Sequence, residues 1–286
     1  MDEPPLPADH HVHSEWSWDA RAGSMWHSCV QAVALGLPAI AFTEHFDCTR
    51  WVLPVKARTG TFGDALLVGD DGRFEPPPFE VDQYLESLAR CRERLPELRI
   101  MSGVELGEPH WFSDPVRTLL GAAPFDLVLG SLHSITISGR PWMINHLFGE
   151  ASPASLSPHD IVRAYLAEAL RMVDSCGDFA VLAPIDYPAR GWPPHQGPFP
   201  ASDFEEEFRA VLRALAASER ALEINTRVPL AAEVVAWWVD VGGQAVTFGS
   251  DAHRPEAVAS GFAEAMALAE ANGFRAGREV LRPWRR

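Results

Sequence analysis

The sequence predicts an α/β barrel of seven parallel strands, built as a single domain over residues 1–286. Three observations carry that expectation. Strand-type and helix-type runs alternate along the chain, the strand-type runs number seven, and 286 residues suit one α/β barrel. With 47 % apolar and 22 % charged residues, the chain has enough hydrophobic surface for a large core.

In chain order, the first strand is expected at Leu6–His11, where an apolar start runs into Asp9-His10-His11-Val12-His13. A helix over Ser24–Leu35 follows, then a second strand at Ala39–Thr43. The stretch 49–79 is rich in Gly, Pro and Asp and reads as a long loop of the kind that covers an active site. A helix over Val81–Leu95 leads to strands at Arg99–Val104 and Asp126–Gly130. Ser157, Pro158 and Asp160 supply an N-cap, a first-turn proline and an early acid for a helix whose apolar stripe is Ile161, Tyr165, Ala169 and Val173. The fifth strand is Phe179–Ala183, and the Pro- and Gly-punctuated stretch 188–200 is a second long loop. Ser202 with Glu205 reads as a capping box, ahead of the stripe of Phe204, Phe208, Val211, Leu212 and Leu215. Strands at Ala221–Asn225 and Gln244–Phe248, with helices at Leu230–Val241 and Pro255–Ala271, complete the pattern.

Composition excludes several classes of partner. A net charge of −15, spread over helix surfaces, repels a nucleic-acid backbone, so long DNA or RNA is not an expected ligand. A small anion stays admissible if metal ions supply local positive charge. Cys29, Cys48, Cys91 and Cys176 are widely spaced without a CxxC pair and read as free thiols, which suits a reducing cytoplasm. The acidic, proline-rich start has no apolar targeting core and no run of about 18 apolar residues occurs, so neither export nor a membrane span is expected. No motif sets an oligomeric state.

The chemistry lies at the strand ends. His11 and His13 are two residues apart on a strand and share one face, so together they can grip an ion. The second strand ends in Thr43-Glu44-His45, the third in Glu105, the fourth in Ser131-Leu132-His133 and the seventh in Ser250-Asp251-Ala252-His253. A lone histidine at a strand end is usually a hydrogen-bonded structural residue. Five histidines and two carboxylates at the C-terminal ends of five strands, the face where barrel enzymes place their catalytic groups, point to a metal site. His27 and His159 fall on helices and read as solvated, whereas His110, His146 and His195 fall in loops within reach of a substrate. Trp237 and Trp238 read as packing, while Trp16, Trp18, Trp142 and Trp192 are placed to wall a pocket. Arg190 and Arg227 follow the fifth and sixth strands and are expected to fork onto phosphate oxygens, surface salt bridging being the alternative.

These motifs, from the HxH of His11 and His13 through the TEH at His45, GVE at Glu105, GSLH at His133 and INTR at Arg227 to GSDAH at His253, resemble the PHP (polymerase and histidinol phosphatase) superfamily, most closely its histidinol-phosphatase-like members. The resemblance spans nearly the whole chain. It implies a distorted seven-stranded (β/α)7 TIM-like barrel and two or three divalent ions of zinc, iron or manganese, since the donors are nitrogen and oxygen only. It also implies hydrolysis of a small phosphate monoester such as histidinol phosphate by metal-activated hydroxide, in histidine biosynthesis. Carried over by position, His11, His13, Glu105 and Asp251 hold one ion, Glu105 bridges to a second held by His133, and Asp19, His45 and His253 surround a third. Asp19, Glu105 and Asp251 are the expected catalytic carboxylates, Asp19 as a possible proton donor to the leaving group; Arg190, Arg227, His110 and His195 are the expected substrate contacts.

One position departs from the family pattern. Relatives carry a histidine ligand of the second ion where this chain has Pro184, whose side chain cannot coordinate a metal. The expectation is a weakened or empty second position, or else recruitment of Asp186 or His195. Two other outcomes stay open: phosphodiester cleavage on a nucleotide or short oligonucleotide, and a catalytically altered protein whose metals serve binding.

Overall fold

The computed structural model describes residues 6–53, 69, 72–148, 156–277, 279 and 282–286. Its elements, in chain order, are β1 (Asp9–Val12), α1 (Met25–Ala34), β2 (Ala39–Phe46), β3 (Trp51–Val52), β4 (Arg73–Phe74), α2 (Val81–Arg94), β5 (Arg99–Gly107), α3 (Ser113–Ala122), β6 (Leu127–Ser131), β7 (Ser134–Ile137), β8 (Arg140–Met143), α4 (Pro158–Ser175), β9 (Val181–Leu182), α5 (Glu205–Ala217), β10 (Ala221–Asn225), α6 (Ala232–Asp240), β11 (Ala245–Gly249), α7 (Phe262–Ala271) and β12 (Trp284–Arg285). Short 3-10 turns join several of them.

The seven expected strands are β1, β2, β5, β6, β9, β10 and β11, and they lie side by side in that order, every pairing parallel. Just past the end of β11 the chain comes back to β1. Asp251 N–H donates to the His11 carbonyl at 2.7 Å and His13 N–H donates to the Ala252 carbonyl at 2.8 Å, which brings the two edges of the sheet together. Alongside the opposite end of β11, β12 adds an eighth, antiparallel strand through Ala245↔Arg285 and Val246↔Trp284. The sequence reading did not foresee β12, because two residues at a chain end carry no periodicity.

Helices pack outside the barrel through the expected stripes. On α4, Ile161, Tyr165, Ala169 and Val173 are buried, and Ser157 with Asp160 forms a reciprocal capping box. Each fully buried side chain of that size contributes about 1.5–3 kcal/mol relative to exposure. Two helix starts differ from expectation. Ala201–Phe204 forms a 3-10 turn that buries Ala201 and Phe204, so α5 begins at Glu205 without a side-chain cap and the Ser202/Glu205 capping box does not form. The stretch Pro255–Ala271 is likewise divided: Pro255–Ala257 is one 3-10 turn, and Gly261, at φ +76°, turns the chain into α7. A helix over Ser113–Ala122 was not anticipated.

Of the two long loops, 188–200 carries 3-10 turns at Tyr187–Gly191 and Pro194–Gln196. In the other, Trp51–Val52 pairs with Arg73–Phe74, while 54–68, 70 and 71 lie outside the described residues. The four cysteines are free thiols. No described helix is long and apolar enough to cross a membrane.

Candidate metal centre

Eight side chains singled out in the sequence meet at the C-terminal ends of the strands: His11, His13, Asp19, His45, Glu105, His133, Asp251 and His253. Parallel register explains part of this, since β2 and β5 place His45 directly beside Glu105. Asp251 stands just past β11 at φ +52°, a left-handed conformation that an aspartate tolerates better than most residues. Glu105 Oε2 lies 3.3 Å from His11 Nε2, 3.4 Å from His13 Nε2 and 3.0 Å from His45 Nδ1. Asp251 lies 3.4 Å from His13 Nε2, and Asp19 lies 3.2 Å from His45 Nε2 and 3.1 Å from His253 Nε2.

Three sets of side chains offer one atom each within the reach of a single ion: His11, His13 and Glu105; His45, Glu105 and His133; and His13, His45 and His253. His45 therefore stands between two positions, next to Glu105 and His133 as well as next to Asp19 and His253.

The protonation pattern can be worked out from what surrounds each ring. A carboxylate only accepts, so Glu223, at 2.9 Å, requires the proton of His11 on Nδ1. Ser17 donates its hydroxyl to Glu44 at 2.5 Å and accordingly accepts from His13 Nδ1 at 2.9 Å. Both rings then present an Nε2 lone pair toward the centre, and these two atoms are 3.0 Å apart. Two acceptors cannot bond to each other at that distance, so a positive charge must stand between or beside them. Burial opposes charge on His11, yet Glu223, Glu105 and Asp251 hold its pKa well above the ordinary value. Burial, with His45 and His253 nearby, drives His13 well below it.

The carboxylates complement this. Burial would raise Glu105, but His11, His133 and His45 hold it well below the usual range. Asp251 is depressed in the same way by Arg190 and His11, and Asp19 by His45 and His253. Asp19 Oδ1, His45 Nδ1 and Glu105 Oε2 are buried without a hydrogen-bond partner. Orphaned oxygen and nitrogen atoms facing one another inside a water-poor cluster fit divalent cations of the zinc, iron or manganese type.

A cavity of about 370 Å³ opens over the cluster, walled by Trp18, Trp51, Met143, Tyr187 and Val228. Arg190 and Arg227 line it, and both guanidiniums pair with Asp251, Arg227 at 3.2 Å. Arg190 also lies 4.6 Å above the Tyr187 ring.

Other expected contacts sit elsewhere. His110 turns away to Glu168, 2.6 Å off on α4, and His195 is exposed on its 3-10 turn; neither lines the cavity. Of the four tryptophans expected to wall the pocket only Trp18 does so, while Trp192 is buried against Phe199 and Phe204. Pro184 is buried, its carbonyl accepting from the Tyr165 hydroxyl at 2.8 Å. Asp186 is buried, with its pKa pushed up to about 6 by desolvation against the pull of Arg190, and belongs to none of the three sets.

Sequence reasoning missed Glu223, Asp47, Ser17 and Trp51. Glu223 carried a signal: it is a charged residue amid the apolar Ala221–Asn225 run, on the same face as Asn225. Asp47 carried another, standing two residues beyond His45.

The PHP domain family model matches residues 9–227. The histidinol-phosphatase of Lactococcus lactis is 26 % identical over 257 residues, 86 % of this chain and 83 % of that protein. Probable histidinol-phosphatases of Clostridium acetobutylicum and Thermotoga maritima are 24 % and 25 % identical over 92 % and 90 % of this chain, and 92 % and 89 % of their own lengths. Among solved structures, the Lactococcus lactis histidinol phosphate phosphatase complexed with zinc, L-histidinol and phosphate superposes with a TM-score of 0.77 at 23 % identity, covering 97 % of this chain and 98 % of its own. The crystal structure of the putative histidinol phosphatase from Listeria monocytogenes gives 0.70 at 18 % identity, covering 90 % and 99 %.

Proposed function

Because this chain belongs to the PHP domain family, we propose that it is a metal-dependent phosphoric monoester hydrolase acting on a small substrate of the histidinol phosphate class. One observation carries the reading: two arginines stand beside a cluster of histidines and carboxylates, at the mouth of a cavity sized for a small molecule.

His11, His13, Glu105 and Asp251 would hold one ion, Glu105 and His133 a second, and Asp19, His45 and His253 a third. Bound there, such ions make hydroxide available near neutral pH and offset charge that builds on a phosphoryl group. The remaining work belongs to the chain itself. Glu223 and the Glu44–Ser17 pair hold the rings of His11 and His13 with Nε2 inward. Arg190, half-buried and anchored on Asp251, and Arg227 at the rim would turn their free N–H groups onto phosphoryl oxygens. Trp18, Trp51 and Tyr187 exclude water from the side where the alcohol portion would lie. Asp19, 3.2 Å from His45 Nε2 and 3.1 Å from His253 Nε2, is placed to help hold the third ion. The free thiols agree with a cytoplasmic setting.

The test is phosphate release by the metal-loaded protein from histidinol phosphate, a chromogenic monoester and the matching diester. Monoester hydrolysis that disappears with chelator is expected. Inactivity on a broad monoester panel, with turnover of the diester, would overturn the reading.

A further inference from the structure

Pro184, whose side chain has no donor, Asp186 and the exposed His195 belong to none of the three converging sets, and the second position is made by His45, Glu105 and His133. Of these three, His133 is held at both ring nitrogens. Its Nδ1 lies 2.8 Å from Asp47 Oδ1 and its Nε2 lies 3.5 Å from Glu105 Oε1. Asp47 is itself fixed from behind, since Trp18 Nε1 donates to its second oxygen at 2.9 Å. The carboxylate can only accept, so the His133 proton is drawn to Nδ1 and the lone pair is left on Nε2, facing Glu105.

The backbone is shaped around this pair. Gly107 passes so close that a Cβ there would collide with Asp47 Oδ1 and stand 3.2 Å from His133 Nδ1. The arrangement repeats at the first position, where Glu223 holds His11 and a Cβ on Gly249 would meet both, at 2.5 Å from Glu223 Oε2 and 2.6 Å from His11 Cβ. Two inward histidines on opposite sides of Glu105 are thus each locked by a buried carboxylate over a glycine.

We propose that Asp47 is the positioning residue of the second metal position, orienting His133 and strengthening it as a ligand for the ion held there. This rests on the metal-dependent reading above but concerns binding and not turnover, so the two can fail separately. A carboxylate behind a ligating imidazole raises its basicity, and losing such a partner typically weakens a metal 10–100-fold.

The experiment measures zinc content and affinity of the full chain by elemental analysis and competition with a chromophoric chelator. Asp47→Asn is expected to weaken one equivalent roughly 10–100-fold while the others keep their affinity. Loss confined to that one equivalent is what a purely structural role for Asp47 would not give. Gly107→Ala, which displaces the carboxylate without removing it, should weaken the same equivalent and serves if Asp47→Asn does not fold. Unchanged zinc affinity in Asp47→Asn and Gly107→Ala would overturn the proposal, as would weakening of all equivalents together. If zinc binding follows the expectation while the wild type releases no phosphate from any monoester, the hydrolase reading falls and the role of Asp47 stands.

Discussion

Two buried histidine–carboxylate pairs in this molecule have nearly the same geometry and opposite surroundings. His133 meets Asp47 at 2.8 Å under the cavity, and His110 meets Glu168 at 2.6 Å where α4 packs against the Pro109–Trp111 turn. Glu168 is fully satisfied, accepting also from Trp111 Nε1 at 2.9 Å and from Arg171, and although His110 Nδ1 is buried without a hydrogen-bond partner, His110 belongs to no converging donor set among the described residues. His133 instead aims its other nitrogen at Glu105, whose Oε2 has no hydrogen-bond partner. A histidine bonded to a carboxylate therefore marks a fold as often as a site. What marks the site is the leftover: unpartnered acceptors and lone pairs converging on one point, with a cavity above them.

The contrast can be broken most forcefully at the cluster. His11→Ala and Asp251→Ala should each lower kcat/KM for a phosphate monoester by at least about 10³-fold, because a lost ion withdraws several kcal/mol of transition-state stabilisation. The same variants should lose bound metal by elemental analysis. Full metal content together with full activity in either would mean that the cluster is structural, like the pair at His110.

A smaller effect is expected one layer out. Arg190→Ala should lower kcat/KM by roughly 10–100-fold, the scale of a buried charge-assisted hydrogen bond. Arg227 is 44 % exposed, so Arg227→Ala should lose only about 3–10-fold, mostly in KM. Equal and negligible losses would return both arginines to service as salt-bridge partners of Asp251.

How much of this was legible depends on how local each signal is. His11 with His13 and Asp251 with His253 could be read because strand alternation puts residues two apart on one face, and the strand ends point one way in a parallel barrel. Asp47 and Glu223 could not be paired with their histidines, which stand 86 and 212 residues away in the chain. Position near a strand end was a fair guide to neighbourhood but not to direction. His110 was expected at the substrate and faces α4; Trp192 was expected in the wall and is packed into the core. The capping box at Ser202 failed for a related reason: burying Phe204 and Ala201 favours a 3-10 turn that the local pattern alone does not encode.

The gentlest break lies at the structural pair. The bond from His110, with those from Arg171 and Trp111, outweighs burial and holds the Glu168 pKa at about 2, below the ordinary glutamate value of 4.5. A folded-state pKa below the unfolded one means that the ionised carboxylate stabilises the fold above about pH 4.5, and that this contribution disappears as pH falls toward 2. Glu168→Gln should therefore cost roughly 1–2 kcal/mol at pH 7, after discounting for solvent around Arg171, and lower the thermal midpoint by a few degrees. Denaturant midpoints of wild type and variant should draw together as pH falls from 4.5 toward 2, and kcat/KM at pH 7 should change less than about 2-fold. A gap that stays constant across that range would show that packing, and not charge, is what Glu168 contributes. A large drop in kcat/KM would show that the two pairs are coupled, and that the outer one supports the cluster through α4.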